Sequence, residues 1–175
     1  GGSGGGGGSV GGGGGVGGLA AGEVSDGEGG TAAHRSSAEL LRSNPYFLST
    51  SDPASEGPPL QEDYHPDGKV ERTYGSGRCE ILYANRTRKD LLPNGVQTVY
   101  FANGDVKQTG VDRRVVYFYA GARTTHVSEP DGTQLYHFPN GQVERHFTDG
   151  LKEIRFREGG LKVILPDGQV QHIDE

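Results

Sequence analysis

The chain has 175 residues, of which 31% are apolar and 32 are glycine, and its formal net charge is −6. This apolar content is low for a closed core, and no stretch has the ~20 consecutive apolar residues of a transmembrane helix. An acidic chain without a basic face is a poor match for phosphate groups, so we predict neither a nucleic-acid nor a membrane partner. The lone Cys79 cannot form an internal disulfide, which favours a reducing compartment such as the cytoplasm.

Residues 1–62 are rich in Gly, Ser and Pro, and we predict a disordered leader there. One apolar island, ELLRSNPYFL at 39–48, interrupts this composition. The simpler interpretation is a hydrophobic patch within the leader. The sharper one is a peptide that docks on a partner or on this chain's own aromatic face, and the sequence does not separate the two interpretations.

A nine-residue period organises residues 65–175, which we predict to form a β-repeat domain. Glycine preceded by Asn, Asp, Ser or Glu returns at this spacing in two series that are offset by one residue: Gly68, Gly77, Gly95 and Gly104, with Arg86 in the remaining slot, and then Gly132, Gly141, Gly150, Gly159 and Gly168. Such dipeptides are strong hairpin signals and indicate two-residue type I′ turns. The period therefore predicts an all-β, open, single-layer antiparallel meander of roughly a dozen seven-residue strands.

The predicted turn also fixes which side chains share a face. After a two-residue turn, each strand position lies opposite a position of the same parity, so even positions share one face throughout. The sixth position after each glycine is aromatic or leucine: Tyr74, Tyr83, Leu92, Phe101, Phe138, Phe147, Phe156 and Leu165. We therefore expect one exposed aromatic face and one charged face.

The glycine series fails between residues 105 and 131. The strand VVYFYA at 115–120 is apolar at both even and odd positions, a pattern that favours cover on both faces. The segment after this strand, a partner or a second copy of the chain could supply that cover.

The histidines and acids of the repeats raise the question of a metal site. On the predicted register, His137 and His146 lie opposite Glu144 and Glu153. Such charged pairs are common on exposed sheet faces, and a flat ladder does not converge on a tetrahedral centre, so we predict no metal and no cofactor. No nucleophile paired with a base and no phosphate loop after a strand is recognisable, which predicts a non-enzymatic protein.

Four stretches bear a family resemblance: NGDVKQ at 103–108, VVYFYA at 115–120, TTH at 124–126 and LYHFPNGQVERHFTDGLKEI at 135–154. They resemble the C-terminal G-box domain of the T-complex protein 10 family, which includes a centriole assembly scaffold. The resemblance covers about residues 65–175. It implies a long, open antiparallel sheet that captures a proline-rich segment of another centriole assembly protein, STIL, and therefore a centrosomal, scaffolding role.

On matching motif positions, the resemblance implies partner contacts at Phe101, Tyr117, Phe138 and Glu144. The predicted parity places Phe101 and Phe138 on the aromatic face but Glu144 on the opposite face, so the two lines of reasoning disagree about Glu144. A full family domain is expected to have further repeats after Gly168, which leaves a truncated relative with weakened binding as an alternative. A second alternative is a structural module that self-associates through exposed edge strands.

Overall fold

The computed structural model describes residues 39–49 and 55–174. It shows one 13-stranded sheet in which each strand pairs, antiparallel, with its neighbours in sequence. The strands are β1 (Gln61–Tyr64), β2 (Val70–Thr73), β3 (Cys79–Leu82), β4 (Arg88–Leu91), β5 (Gln97–Tyr100), β6 (Val106–Thr109), β7 (Val115–Tyr119), β8 (Thr124–Ser128), β9 (Gln134–His137), β10 (Val143–His146), β11 (Lys152–Arg155), β12 (Leu161–Ile164) and β13 (Val170–Ile173). The predicted open antiparallel meander is confirmed.

Only part of the predicted leader is described, since residues 1–38 and 50–54 lie outside the described residues. A short α-helix spans residues 39–43, and the first strand begins at Gln61, shortly before the predicted start of the repeats. Within 39–49 and 55–174, no helix has the length and apolarity required to cross a membrane.

The turns differ from the predicted two-residue type I′ geometry. In the β5–β6 turn, the Gly104 N–H donates to the Phe101 carbonyl at 3.0 Å, and the Phe101 N–H donates to the Asp105 carbonyl at 2.9 Å. Gly104 has a φ of 89°, whereas Asn103 is not among the residues with positive φ. This is a type I turn followed by one left-handed residue, which closes a three-residue loop. The prediction of type I′ turns is wrong.

Each residue of the turn motif has a physical reason in this geometry. Pro93 lies at the second position of its type I turn, where a φ fixed near −65° is favourable. Asn94 follows it, and its Oδ1 accepts a hydrogen bond from the Val96 N–H at 3.1 Å. Glycine then adopts the left-handed conformation, and its lack of a side chain allows close contact with the next turn at the same end of the strands. A Cβ added to Gly132 (φ 91°), for example, would lie 2.7 Å from Thr148 Cγ2.

The longer loop shortens each strand and thereby changes which side chains share a face of the sheet. Val106, the second residue after its glycine, lies opposite Tyr100, the fifth after its own. Since partners now have opposite parity, the sixth-position rings alternate between the two faces from one strand to the next. The prediction of a single face that collects all of these rings is wrong.

The stretch between 105 and 131 contains two further turns rather than a break. Arg113 and Arg123 take the left-handed position there, with φ of 72° and 50°, as Arg86 does earlier with 65°. Strands β7 and β8 have five residues each, whereas the other strands have four. The extra length places Arg123 one residue later than the nine-residue period requires, which accounts for the offset between the two glycine series.

Residues 39–49, which we call the strap, pack across one face of the sheet, which we call the strap face. Leu41 and Phe47 are buried against three buried valines of the sheet: Val106, Val116 and Val127. The Leu48 N–H donates to Gln108 Oε1 at 2.7 Å, and Gln108 Nε2 donates to the Leu48 carbonyl at 3.2 Å. The apolar island therefore docks on this chain's own sheet and covers one face of β7.

A buried ionic cluster continues the strap face toward β3 and β4. Arg78 is 2% exposed, and its guanidinium lies 2.6 Å from Glu56 Oε2 and 3.3 Å from Asp90 Oδ1. Arg88 Nη2 lies 3.3 Å from Asp90 Oδ2. Among the described residues, every buried side chain of the sheet except Thr124 lies on the strap face. The two faces therefore differ strongly in solvent exposure.

Candidate partner-binding face

The face opposite the strap, which we call the front face, has a row of rings that crosses neighbouring strands. Tyr117 lies opposite His126, His126 opposite Tyr136, and Tyr136 opposite Glu144. Directly paired residues of antiparallel strands point to the same side of a sheet, so these four side chains share the front face. The row ends in a carboxylate at β10.

The four residues that the family resemblance assigns to partner contact all lie on this face. Phe101 stacks on Tyr117 with ring centroids 5.9 Å apart and planes 28° apart. Phe138 lies 6.4 Å from Tyr136 with planes 20° apart. Glu144 is paired with Tyr136. The expected conflict over Glu144 disappears because it followed from the two-residue turn, and the observed three-residue turn places Glu144 on the front face.

Two further aromatic residues, Tyr119 and Tyr136, complete the surface. Tyr119 is 40% exposed and lies 4.4 Å from the Tyr117 ring, and Tyr136 stacks on His126 at 4.4 Å with planes 4° apart. We call five residues the aromatic strip: Phe101, Tyr117, Tyr119, Tyr136 and Phe138. Tyr119 and Tyr136 were not predicted from the sequence, although the alternation in VVYFYA and LYHF indicates them once the turn type is known.

Asp105 fixes the ring of Tyr117 at the start of the strip. Its carboxylate accepts hydrogen bonds from the Tyr117 hydroxyl at 3.0 Å, the Ala120 N–H at 2.8 Å and Asn103 Nδ2 at 3.1 Å. Burial alone would raise the pKa of Asp105, but these hydrogen bonds together lower it. Burial, and then the bond to this carboxylate, raises the pKa of the Tyr117 hydroxyl to about 12. The hydroxyl therefore stays protonated and donates throughout the physiological range.

The lowered pKa of Asp105 predicts an acid-dependent loss of stability. A depressed folded-state pKa stabilises the fold above the unfolded pKa, and this contribution is lost as pH falls through the folded value. We expect Asp105→Asn to lower the free energy of unfolding by about 1 kcal/mol at pH 7, since the group is only partly buried. Urea unfolding of both proteins between neutral pH and pH ~3 measures the difference, which should become smaller toward the acid end. A difference that does not change with pH would contradict the assignment.

Glu144 lies at the other end of the strip and has local partners on its own strand and turn. Its carboxylate accepts hydrogen bonds from Gln142 Nε2 at 2.8 Å and from His146 Nε2 at 3.0 Å. The predicted pairs of His137 with Glu144 and of His146 with Glu153 are wrong, because the register pairs His137 with Val143 on the strap face. The two imidazoles therefore lie on opposite faces. Among the described residues, no group of three or more His, Cys, Asp or Glu side chains is placed to hold a metal ion.

Comparison of the sequence with known families and proteins gives consistent matches. Residues 57–91 and 130–159 match the family described as T-complex protein 10 C-terminus. The centrosomal P4.1-associated protein of Mus musculus is 54% identical over 84 residues, which cover 47% of this chain and 6% of the relative. The Homo sapiens protein of that name is 52% identical over 83 residues, with the same coverage. The chain thus spans only 6% of the length of these curated relatives.

Solved structures match more than half of the chain. The TCP10 domain of Danio rerio CPAP, solved in complex with a peptide of Danio rerio STIL, is 44% identical with a TM-score of 0.55, over 60% of this chain and 59% of that one. The CPAP G-box domain is 21% identical with a TM-score of 0.53, over 65% and 79% of the two chains, and supports the fold alone. The family match over residues 57–91 and 130–159 and the 13-stranded meander therefore confirm the predicted resemblance of this chain to the T-complex protein 10 C-terminal (G-box) domain.

Proposed function

We propose that this chain is a non-enzymatic scaffold module that binds a proline-rich segment of a STIL-type centriole assembly protein on its front face, at the centrosome in the cytoplasm. The single observation that best supports this is the gathering of Phe101, Tyr117, Phe138 and Glu144 on one face. The 44% identity to a domain solved with a STIL peptide supports the choice of partner.

The dimensions of the aromatic strip suit an extended ligand. The strip crosses four strand spacings from β5 to β9, or ~19 Å at ~4.8 Å each. A polyproline II segment rises ~3.1 Å per residue, so about six residues of ligand would span it. Aromatic grooves are the usual receptors for such segments, and a segment that is already ordered when free loses little entropy on binding. The half-buried, mutually stacked rings are fixed in place before the ligand arrives.

Glu144 determines the orientation in which the ligand would bind to the proposed site. Its carboxylate lies at the β10 end of the strip, where its hydrogen-bond partners among the described residues are the side chains of His146 and Gln142. A basic residue of the ligand that follows or precedes the prolines would form a charge-assisted hydrogen bond there. The ligand would therefore place its cationic residue at β10 and its prolines over β5–β9.

A titration with a proline-rich STIL peptide tests this proposal. We expect Phe138→Ala to weaken affinity about 30-fold, equivalent to ~2 kcal/mol, because the ring is an anchor of the strip. The matched control is Phe147→Ala, which truncates the corresponding ring of the next turn on the strap face. Circular dichroism confirms that both variants remain folded.

The outcomes separate the alternatives. Equal affinities of wild type and folded Phe138→Ala would contradict the proposed site. No binding by the wild-type chain would favour the truncated relative that has lost its partner. Equal losses in Phe138→Ala and Phe147→Ala would show that the front face is not the site.

The exposed edges favour self-association as a second candidate function. Tyr64 of β1 is 72% exposed, and Val170 and Ile173 of β13 are 47% and 48% exposed. Unpaired edge strands of an open sheet can pair with those of another copy. Sedimentation over a concentration series should then show growing oligomers, and a monomer at every concentration would exclude this function.

A further inference from the structure

A cavity of about 250 Å³ opens at one end of the strap face, where the β7–β8, β9–β10 and β11–β12 turns lie side by side. Pro45 of the strap, Phe118 and Phe138 provide apolar walls. Arg123 and Arg157 approach it from two different turns. The cavity thus combines apolar walls with two arginine side chains from different turns.

The charge of this cavity is unusual for the chain. Among the residues that the structure describes, its lining contains Arg123, Arg157 and His137 but no Asp or Glu side chain. The chain as a whole has a net charge of −6. Two guanidinium groups that face one cavity repel each other unless an anion lies between them, and guanidinium binds phosphate and carboxylate oxygens in bidentate geometry.

The backbone holds both arginines in fixed places. Arg123 has a φ of 50°, a left-handed conformation in which an ordinary side chain is disfavoured. Arg86 and Arg113 share that conformation, but of these three only Arg123 lines the cavity. The stem of Arg157 lies directly on Gly141, where a Cβ would be 2.8 Å from Arg157 Cδ. The glycine therefore leaves room for this arginine beside the cavity.

We propose that this cavity binds a phosphorylated side chain of a partner protein. The dianionic phosphate would lie between Arg123 and Arg157, and its stem would pack against Pro45, Phe118 and Phe138. A phosphate monoester has close to two negative charges at pH 7, which matches two guanidinium groups better than a single carboxylate does. The cavity shares the Phe138 ring with the aromatic strip, whereas Arg123 and Arg157 lie outside the strip, so substitution of an arginine tests the cavity separately from peptide binding.

Small-molecule titrations of the chain, followed by NMR of the arginine Nε–Hε groups, test this directly. The probes are phenyl phosphate, inorganic phosphate and benzoate. We expect phenyl phosphate to shift the Arg123 and Arg157 signals and to bind about fivefold more tightly than inorganic phosphate, because the apolar walls contact the ring. Benzoate should bind about tenfold more weakly than phenyl phosphate, because it has one charge.

Two glycine variants make the test specific. Arg123→Gly removes the guanidinium and suits the left-handed backbone, so folding is preserved, and phenyl phosphate affinity should fall about tenfold. Arg113→Gly makes the same change in the β6–β7 turn, at the opposite end of the strands, and should leave the affinity for phenyl phosphate within a factor of about two. Equal affinities of the two variants, or benzoate binding as tight as phenyl phosphate, would overturn the proposal. We expect Arg123→Gly to leave the affinity for the STIL peptide unchanged, so that this variant tests the cavity and not the proposed peptide-binding function.

Discussion

Replacing Phe47 with alanine is expected to lower the free energy of unfolding by about 3 kcal/mol, as other buried phenylalanines do. Phe47 is 7% exposed and packs in the cluster that closes the centre of the strap face. An open sheet has no second layer, so this cluster is where its central valines are removed from water. Urea unfolding of wild type and variant measures the difference.

The neighbouring residue provides the control for this substitution. The side chain of Leu48 is 44% exposed, while its backbone keeps both hydrogen bonds to Gln108. Leu48→Ala should therefore cost about 0.5 kcal/mol or less. In Phe47→Ala, hydrogen exchange at the Leu48 amide should also accelerate. Equal stabilities of the two variants, with an amide that exchanges freely in wild type, would show that the strap does not dock.

Replacing Arg78 with alanine is expected to cost more, about 4 kcal/mol, because it removes the most buried cation of the cluster and leaves Glu80 and Asp90 to share the remaining arginines. The guanidinium of Arg78 contacts Glu56 at 2.6 Å, Asp90 at 3.3 Å and Glu80 at 3.7 Å, and it lies 3.9 Å above the Tyr74 ring. Glu80 and Asp90 are 5% and 4% exposed, so water cannot replace the lost partner.

Arg145 offers a matched control on the same face of the sheet. It also pairs with a glutamate on the adjacent strand, Glu153 at 3.8 Å, and lies over an aromatic ring, Phe147 at 5.9 Å. Its side chain is 50% exposed, so Arg145→Ala should cost about 1 kcal/mol or less. A similar cost for both arginines, in urea unfolding at pH 7, would contradict the buried ionic cluster.

The period alone was enough to predict the architecture of the sheet but not its two faces. A glycine every nine residues predicts hairpins, and hairpins in series predict a meander. The loop length decides whether even positions of one strand lie opposite even or odd positions of the next. With one extra loop residue, even positions lie opposite odd positions, so equivalent side chains of successive strands lie on opposite faces. Proline before the Asn-Gly or Asp-Gly pair, as at Pro93 and Pro139, is the signal for a type I turn, since a type I′ turn has positive φ at both central residues.

The strap and the ionic cluster were less accessible to sequence reasoning. The apolar island at 39–48 shows that burial is available, but its position over β6–β8 depends on contacts across about 60 to 80 residues of chain, such as Leu48 with Gln108 and Asn44 with Thr125. The burial of Arg78 likewise depends on Glu56, which precedes the repeats. The four proposed contact residues came from the family resemblance, and only the observed register explains why they lie together.

The most direct test of the account is to locate the proline-rich peptide on one face of the sheet. A STIL peptide with a nitroxide spin label, bound to methyl-labelled protein, broadens the NMR signals of nearby methyl groups. We predict stronger broadening at Val99 and Ile154, which lie on the front face, than at Val106 and Val116, which lie under the strap. Stronger broadening of Val106 and Val116 than of Val99 and Ile154 would place the ligand on the strap face and contradict the account.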